Sequence, residues 1–278
     1  MRYTIIALIL IITACSSKLI RMDKEYNLIK FLQEGKDIVI EGDTISEELD
    51  LTKIIKMHKF NAKSSYGQVK GNLMFMDCTF KRKVSAFAQT NSGGEQAIQF
   101  KGNVSFVNCT FEEELNLRSC TIEGAVDFSN TTFKKGANFQ DVIFMQRANF
   151  NKAFWIGEAK FQNVRFYHKT NFMDIKANNH LMFQAAVFGD ETNFSMAETS
   201  KYVDFSLVRF DGPALFNFVK WGDRATFNNC LWNMSAMFVD SSFGSVSFTG
   251  SDCRGKFVMS GEKVTDKMVD PIAIGLEK

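Results

Sequence analysis

Proline and histidine are scarce in this 278-residue chain. It contains 2 prolines, Pro213 and Pro271, and 3 histidines, His58, His168 and His180. No histidine has a second candidate ligand at metal-binding spacing, and no Gly-x-Ser-x-Gly, Walker or His-Glu-x-x-His pattern occurs. The sequence therefore carries no signature of a metal centre, a nucleotide-binding loop or a hydrolase nucleophile. We predict no catalysis and no cofactor.

An excess of charge of either sign is also missing. The formal net charge is +2, and residues 100–258 carry 16 acidic and 16 basic side chains. A neutral body lacks the long-range field that mimicry of DNA would need. It also lacks the basic stripe typical of nucleic-acid binding, so nucleic acid is not a predicted partner. The acidic run Glu112–Glu114 is expected at solvated corners, because a calcium site needs six to eight converging oxygens.

Long hydrophobic runs are absent as well. The longest, Ile5–Ile12, is too short to span a bilayer, which takes ~20 apolar residues. With Arg2 before it and Thr13-Ala14-Cys15 after it, the run is typical of a signal peptide. Residues 12–15 resemble a bacterial lipobox, which implies cleavage before Cys15 and acylation of its thiol.

These features predict a signal peptide over residues 1–14 and a lipid anchor on Cys15, which attaches the chain to a membrane of the bacterial cell envelope. Ser16 favours the outer membrane over the inner membrane. A plain secretory signal and a buried N-terminal strand remain the alternatives.

Large apolar residues recur at alternating gaps of five and six from Phe100 to Phe248, as in Phe128, Phe133 and Phe139. A smaller residue often stands two positions before them, and polar residues fill the rest. A helical coiled coil with an 11-residue period would need apolar residues at i, i+3, i+4 and i+7, which do not occur. Residues i−2 and i of an extended segment face the same side. Each unit is thus a short strand, and four units form a square coil.

The stretches GAVDFSNTTF (124–133), GANFQDVIF (136–144) and RANFNKAFW (147–155) resemble the pentapeptide-repeat family, in its Phe-rich subgroup with an 11-residue double repeat. The resemblance implies an all-β fold, a right-handed quadrilateral parallel β-helix over residues 37–258. It says almost nothing about function, because function must be argued from a site. Some family members mimic DNA and bind topoisomerases in the cytoplasm, but the neutral charge and the leader argue against that here.

We therefore predict a lipid-anchored cell-envelope scaffold or protein-interaction module. Its partner would be an envelope protein or a glycan, and homodimer formation is left open. The alternative is a carbohydrate-binding or carbohydrate-active β-helix, which a concave acidic cleft would favour.

Both ends of a solenoid need caps. Leu28, Ile29 and Leu32 have helical spacing, Asp23 stands where a helix could begin, and Gly35 could end it. Residues 15–36 are thus predicted to form a tether and a helical cap. Extended segments are expected over 37–55, segments 56–71 and 87–97 should loop out, and residues 259–278 should form a C-terminal cap and tail.

The cysteines other than Cys15 number five. Cys78, Cys109, Cys120 and Cys230 take the small i−2 position, whereas Cys253 lies near the end of the repeat. The four cysteines at this position are predicted to be buried free thiols that act as small hydrophobic residues, and disulfides are the alternative.

One wall of the predicted coil is irregular. Counted from Phe100, the third wall carries Phe111, Phe133, Trp155, Ala177, Thr199, Trp221 and Phe243. The series of large residues is interrupted at two successive coils, and polar residues flank the break. Function tends to lie where local rules fail, although drift of the repeat is the alternative. The candidate interaction patch is Ala177, Asn178, Asn179, His180, Thr199, Lys201 and Tyr202.

Overall fold

The chain winds into a four-sided parallel β-helix. The structure, a computed structural model, describes residues 26–269. Helices are confined to Tyr26–Glu34 and the single turn Leu51–Ile54 in this part of the chain. The all-β solenoid predicted from the repeat is confirmed.

Two walls are separate sheets. The first wall belongs to an 11-stranded sheet whose parallel strands are Ser64–Val69, Glu95–Phe100, Thr121–Ile122, Ile143–Phe144, Arg165–Phe166, Val187–Phe188, Arg209–Phe210, Leu231–Trp232 and Asp252–Cys253. The second wall is a 10-stranded sheet of Ile38–Glu41, Leu73–Met76, Val104–Val107, Val126–Asp127, Ala148–Asn149, Thr170–Asn171, Thr192–Asn193, Ala214–Leu215, Ala236–Val239 and Phe257–Ser260.

The third and fourth walls join into one 17-stranded sheet. The third wall holds Thr44–Ile45, Thr79–Phe80, Thr110–Phe111, Thr132–Phe133, Phe154–Trp155, Lys176–Ala177 and Glu198–Thr199. The fourth holds Leu49–Asp50, Val84–Ser85, Leu115–Asn116, Ala137–Asn138, Ala159–Lys160, Leu181–Met182 and Val203–Asp204. Three longer strands bridge both walls: Lys220–Thr226, Ser242–Ser247 and Lys263–Val269.

The core is a set of aromatic ladders inside the coil. Every large residue of the repeat between Phe100 and Phe248 is buried, as predicted. Equivalent rings stack face to face on successive coils, for example Phe150 on Phe172 at 4.8 Å between ring centroids. Since the smaller i−2 residues are buried beside them, the interior has two inward side chains per strand, as in other pleated segments.

The five-residue units turn their corners through a left-handed residue. Fourteen non-glycine residues of the described chain have φ between 50° and 62°, spaced by 11 along the repeat from Asn108 onward. The turn Leu117–Cys120 is typical: Ser119 has φ 56° and the N–H of Cys120 donates to the carbonyl of Leu117 at 3.1 Å. This is type II turn geometry, which favours glycine or asparagine at its third position.

The N-terminal end is closed by the predicted helix. Leu28 and Leu32 are buried against the first coil. Gly35 has φ 68°, and the N–H of Lys36 donates to the carbonyl of Phe31 at 3.0 Å, so the helix ends as predicted. Asp23, like the leader and Cys15, lies outside the described residues.

Three segments differ from the sequence-based prediction. Leu51–Ile54 is helical instead of extended, because the Asp50 carboxylate caps it by accepting from the Thr52 N–H at 3.1 Å. The two segments that leave the coil form β-hairpins: Met57–Lys59 pairs antiparallel with Ser64–Val69, and Phe87–Gln89 with Glu95–Phe100. The stacking also continues past residue 258, to Val269.

Candidate functional site

The irregular third wall keeps its pairing through the break. Ala177 pairs with Trp155 below it and with Thr199 above it, and both small residues are buried. Trp155 stacks on Phe133 at 5.2 Å, and Trp221 packs against Phe205 at 5.7 Å. The indole nitrogens of both tryptophans are buried and have no hydrogen-bond partner among the described residues. Thus two coils lack large residues on this wall while the stack of strands stays continuous.

A shallow groove of about 630 Å³ runs along the outside of this wall. Its side chains include a charged row, Lys176, Glu198 and Lys220, on three successive coils. The Lys220 ammonium is 2.8 Å from one Glu198 oxygen, and the Lys176 ammonium is 3.9 Å from the other. The hydrogen bond from Lys220 lowers the pKa of Glu198, and the same contact raises the pKa of Lys220. The groove therefore contains a fixed carboxylate between two cations.

Glycine keeps one end of the groove open. Gly222 and Gly244 line it on consecutive coils. A Cβ on Gly244 would lie 2.1 Å from the carbonyl oxygen of Asp223, so no other residue fits there without a shift of the backbone. The pairing register shifts between Trp221 and Arg224, and such bulges re-aim nearby side chains.

The corner between the third and fourth walls carries an aromatic–cation pair. The Arg224 guanidinium lies over the Tyr202 ring, 4.5 Å from its centroid. Burial raises the pKa of the Tyr202 phenol to about 12, and the nearby Asp204 carboxylate adds to the shift. His180 lies 6.5 Å from Tyr202, ring to ring, and its Nδ1 is 3.5 Å from a Glu158 oxygen.

The opposite corner, between the second and third walls, carries exposed apolar residues in a strained conformation. Met196 and Phe218 have φ of 61° and 59° and are 47% and 49% exposed. Of the fourteen left-handed positions, eight hold Asn or Asp, the usual residues for this conformation. Bulky side chains there cost of order 1–2 kcal/mol per residue. Met196 lies two residues before Glu198, and Phe218 lies two residues before Lys220, so both are next to the charged row.

We call the groove and its two corners the third-wall surface. Of the residues predicted from the sequence, Ala177 and Thr199 line the groove but are buried, so they offer a partner little surface. The others, Asn178, Asn179, His180, Lys201 and Tyr202, lie on the groove or on the corner beside it.

Lys176 and Glu198 belong to the polar residues that flank the break in the sequence. Several other members of this surface did not emerge from the sequence analysis: Met196, Phe218, Lys220, Gly222, Arg224 and Gly244. A comparison of every eleventh residue at the left-handed position would have found Met196 and Phe218.

A second groove, of about 680 Å³, lies on the second wall. Its floor includes the polar ladder Asp127, Asn149 and Asn171, whose side chains bond to one another at 3.1 and 3.2 Å. Each also accepts from a turn N–H two residues ahead. Because these groups already bond to the repeat itself, the second-wall groove is accounted for by the scaffold.

Neither a metal-binding group of three His, Cys, Asp or Glu residues nor a helix able to cross a membrane occurs within residues 26–269. Residues 98–143 match the family model for pentapeptide repeats, nine copies. No curated protein and no solved structure matches the chain. The family match and the β-helix together support a pentapeptide-repeat protein, and such a match suggests a repeat protein that serves as an interaction module.

Proposed function

We propose that this protein is a lipid-anchored scaffold of the bacterial cell envelope and that its third-wall surface binds a partner protein without catalysis. The observation that carries the proposal is the placement of Met196 and Phe218. Both are apolar, half exposed and held in a left-handed conformation that their side chains disfavour. Neither the core nor the turn benefits from these side chains. A partner that buries them would account for their presence.

The chemistry of the partner follows from what flanks these two residues. Exposed apolar side chains at one corner favour an apolar contact. Lys176, Lys201, Lys220 and Arg224 are balanced by Glu198 and Asp223 and by Asp174 and Asp240, which lie at the same corner as Met196 and Phe218. We therefore expect a protein segment that presents apolar side chains and little net charge. The Tyr202–Arg224 pair offers such a segment a rigid aromatic anchor.

Membrane attachment is proposed from the sequence of the first fifteen residues. The short apolar run and the Thr13-Ala14-Cys15 ending support export and lipidation of Cys15. Two or three acyl chains on one cysteine would hold the protein stably at a membrane, whereas a single chain would not.

The test uses Phe218→Asn, with Leu207→Asn as the matched control. Leu207 is also apolar, 62% exposed and left-handed, with φ 62°, but it lies at the corner between the fourth and first walls. Both substitutions install the residue that this turn prefers, so each should raise the free energy of unfolding by about 1 kcal/mol. In envelope extracts crosslinked before purification, Phe218→Asn should lose the partner that the wild type recovers, whereas Leu207→Asn should keep it.

Equal recovery of the partner by both variants and the wild type would refute the surface assignment. A double substitution on the second wall, Arg147→Ala with Lys169→Ala, is the further control, because both residues line the other groove. If that variant alone loses binding, the partner lies on the second wall. If the material lost by Phe218→Asn is polysaccharide, the carbohydrate-binding alternative replaces the protein-binding proposal.

A further inference from the structure

Two cysteines occupy equivalent places on consecutive coils near the N-terminal end. Cys78 and Cys109 each stand directly before a third-wall strand, and those strands pair in register, Thr79 with Thr110. The N–H of Thr110 donates to the Cys78 carbonyl at 2.8 Å. Neighbouring parallel strands lie ~4.8 Å apart. This spacing is inside the Cα separation of about 4.4–6.8 Å that a disulfide spans.

Both cysteines are buried inside the coil, each 1% exposed. The interaction between the two thiols lowers the pKa of Cys78 to about 7 and raises the pKa of Cys109. Each thiol also lies near carbonyl oxygens, Cys78 at 3.2 Å from Met76 and Cys109 at 3.4 Å from Val107. Such bonds are weak because a thiol is a weak donor, so little is lost when both protons leave.

The remaining cysteines of the described chain have no such neighbour. Cys120 and Cys230 share one inner column of the coil, but Val142, Val164, Ala186 and Val208 separate them. Cys253 lies on the first wall at the last described coil. Among the five cysteines within residues 26–269, only Cys78 and Cys109 are adjacent, so a disulfide among them has one candidate pair.

We propose that Cys78 and Cys109 form a disulfide that links two consecutive coils when the chain meets a protein disulfide oxidant. The Cys78 thiolate attacks one sulfur of the oxidant's disulfide and displaces the other as a thiolate. The Cys109 thiolate then attacks the Cys78 sulfur of this mixed disulfide and displaces the second oxidant thiolate. The pair loses two protons and two electrons, and the oxidant ends as a dithiol. Such oxidants act outside the cytoplasm, so the reaction in the cell depends on the export proposed above.

The link would close a segment that departs from the regular repeat. Residues 79–108 include the hairpin Phe87–Phe100 and the strand that returns the chain to the coil. A disulfide restricts this segment in the unfolded chain and thereby favours the folded state. Since both thiols are buried in the finished coil, the exchange should take place while the first coils are forming.

The test maps the cysteines of the full chain, purified in detergent. The protein is reduced, unfolded, refolded in a glutathione redox buffer, unfolded again in the presence of N-ethylmaleimide and digested. We expect one linked peptide, Cys78–Cys109, lighter than the two thiol peptides by two hydrogen atoms. Cys120, Cys230 and Cys253 should carry the alkyl group. Oxidised protein should melt ~5 °C or more above reduced protein, a difference that Cys78→Ser abolishes and Cys120→Ser retains.

A parallel sample, alkylated directly in cells, separates this proposal from the export proposal. A link that forms on refolding but is absent from cells supports the pair and contradicts export to an oxidising compartment. A second measurement avoids refolding: native protein is oxidised with diamide and mapped in the same way. Free Cys78 and Cys109 after both treatments, or a link to any other cysteine, would overturn the disulfide.

Discussion

Replacement of Phe150 tests the aromatic ladder where it is most regular. Phe150 is fully buried, and its ring stacks on Phe128 and Phe172 at 5.4 and 4.8 Å. The edges of Phe139 and Phe161 meet it at 5.5 and 5.4 Å. The substitution Phe150→Ala removes these four ring contacts and those with Phe144 and Trp155, and it leaves a cavity in the middle of the rod.

The expected loss follows from these contacts. Truncation of phenylalanine in a packed core costs ~3–5 kcal/mol, depending on how far the site collapses. The neighbouring rings cannot move inward, because each is held by backbone pairing to the coils on both sides. Each aromatic pair also contributes ~0.5–1.5 kcal/mol beyond its buried area. We therefore expect a loss of about 4–5 kcal/mol, at the upper end of the range.

Guanidinium unfolding measures the loss by two signals. Far-UV circular dichroism reports the whole solenoid, whereas tryptophan fluorescence reports the surroundings of Trp155, 6.2 Å from Phe150, and of the more distant Trp221 and Trp232. Divergence of the two curves in the variant would mean that coils unfold separately, as in other repeat proteins. The control is Ile156→Ala, a corner residue 42% exposed, which should change stability by less than ~1 kcal/mol. Equal effects of the two substitutions would refute the inward ladder.

Three other substitutions test anchoring, capping and turn strain. Cys15→Ser should abolish fatty-acid labelling and move the protein out of the membrane fraction; equal labelling of wild type and variant would contradict lipidation. Burial opposes ionisation of Asp50, but bonds from Thr52 and Lys53 prevail and lower its pKa, so its stabilisation is present above the unfolded-state pKa and lost as pH falls through the folded-state value. The melting temperature of Asp50→Asn should therefore fall less between pH 7 and pH 3 than that of the wild type. An equal fall would mean that other groups cause the acid sensitivity. Asn130→Leu should lower the free energy of unfolding by about 1 kcal/mol, measured by thermal unfolding, because it places a bulky residue at φ 55°. An unchanged midpoint would contradict the statement that Phe218 is strained at its turn.

The body of the fold could be predicted because burial in an extended chain has a period of two. Phe128, Phe139 and Phe150 have a small residue two positions before each of them, and only a strand places both on one side. Because every unit repeats this constraint, the sequence also predicted the four walls and the register between coils. The capping helix could also be predicted from the sequence, because Gly35 supplies a left-handed residue at its end.

The exceptions depended on contacts that spacing does not encode. Leu51–Ile54 continues an apolar pattern, yet one carboxylate, Asp50, converts it to a helical turn. The segment 87–97 contains a flexible glycine pair, yet its flanks find each other as strands across a turn in which the Thr90 N–H donates to Gly94 at 2.7 Å. In both places a local hydrogen bond outweighed the pattern.

The candidate site was predicted in part. The break at Ala177 and Thr199 pointed to the third wall, because the absence of large inward residues is visible in the repeat. The outward groove, the charged row around Glu198 and the register shift after Trp221 depend on how adjacent coils align. That alignment appears only when residues 22 apart are compared on the same wall.

Strain at the corners also offers a way to separate function from drift. Ala185, Met196, Leu207 and Phe218 occupy four consecutive left-handed positions, where Asn or Asp stands in most of the other units. They alternate between two corners, and only Met196 and Phe218 lie beside the third-wall groove. If the repeat has merely drifted, relief of strain should be without functional effect at either corner, since each coil contacts only its neighbours. If a partner binds the groove, Phe218→Asn should raise stability and weaken binding. Leu207→Asn should raise stability and leave binding unchanged. Opposite responses from two residues with the same backbone conformation would not be expected from drift.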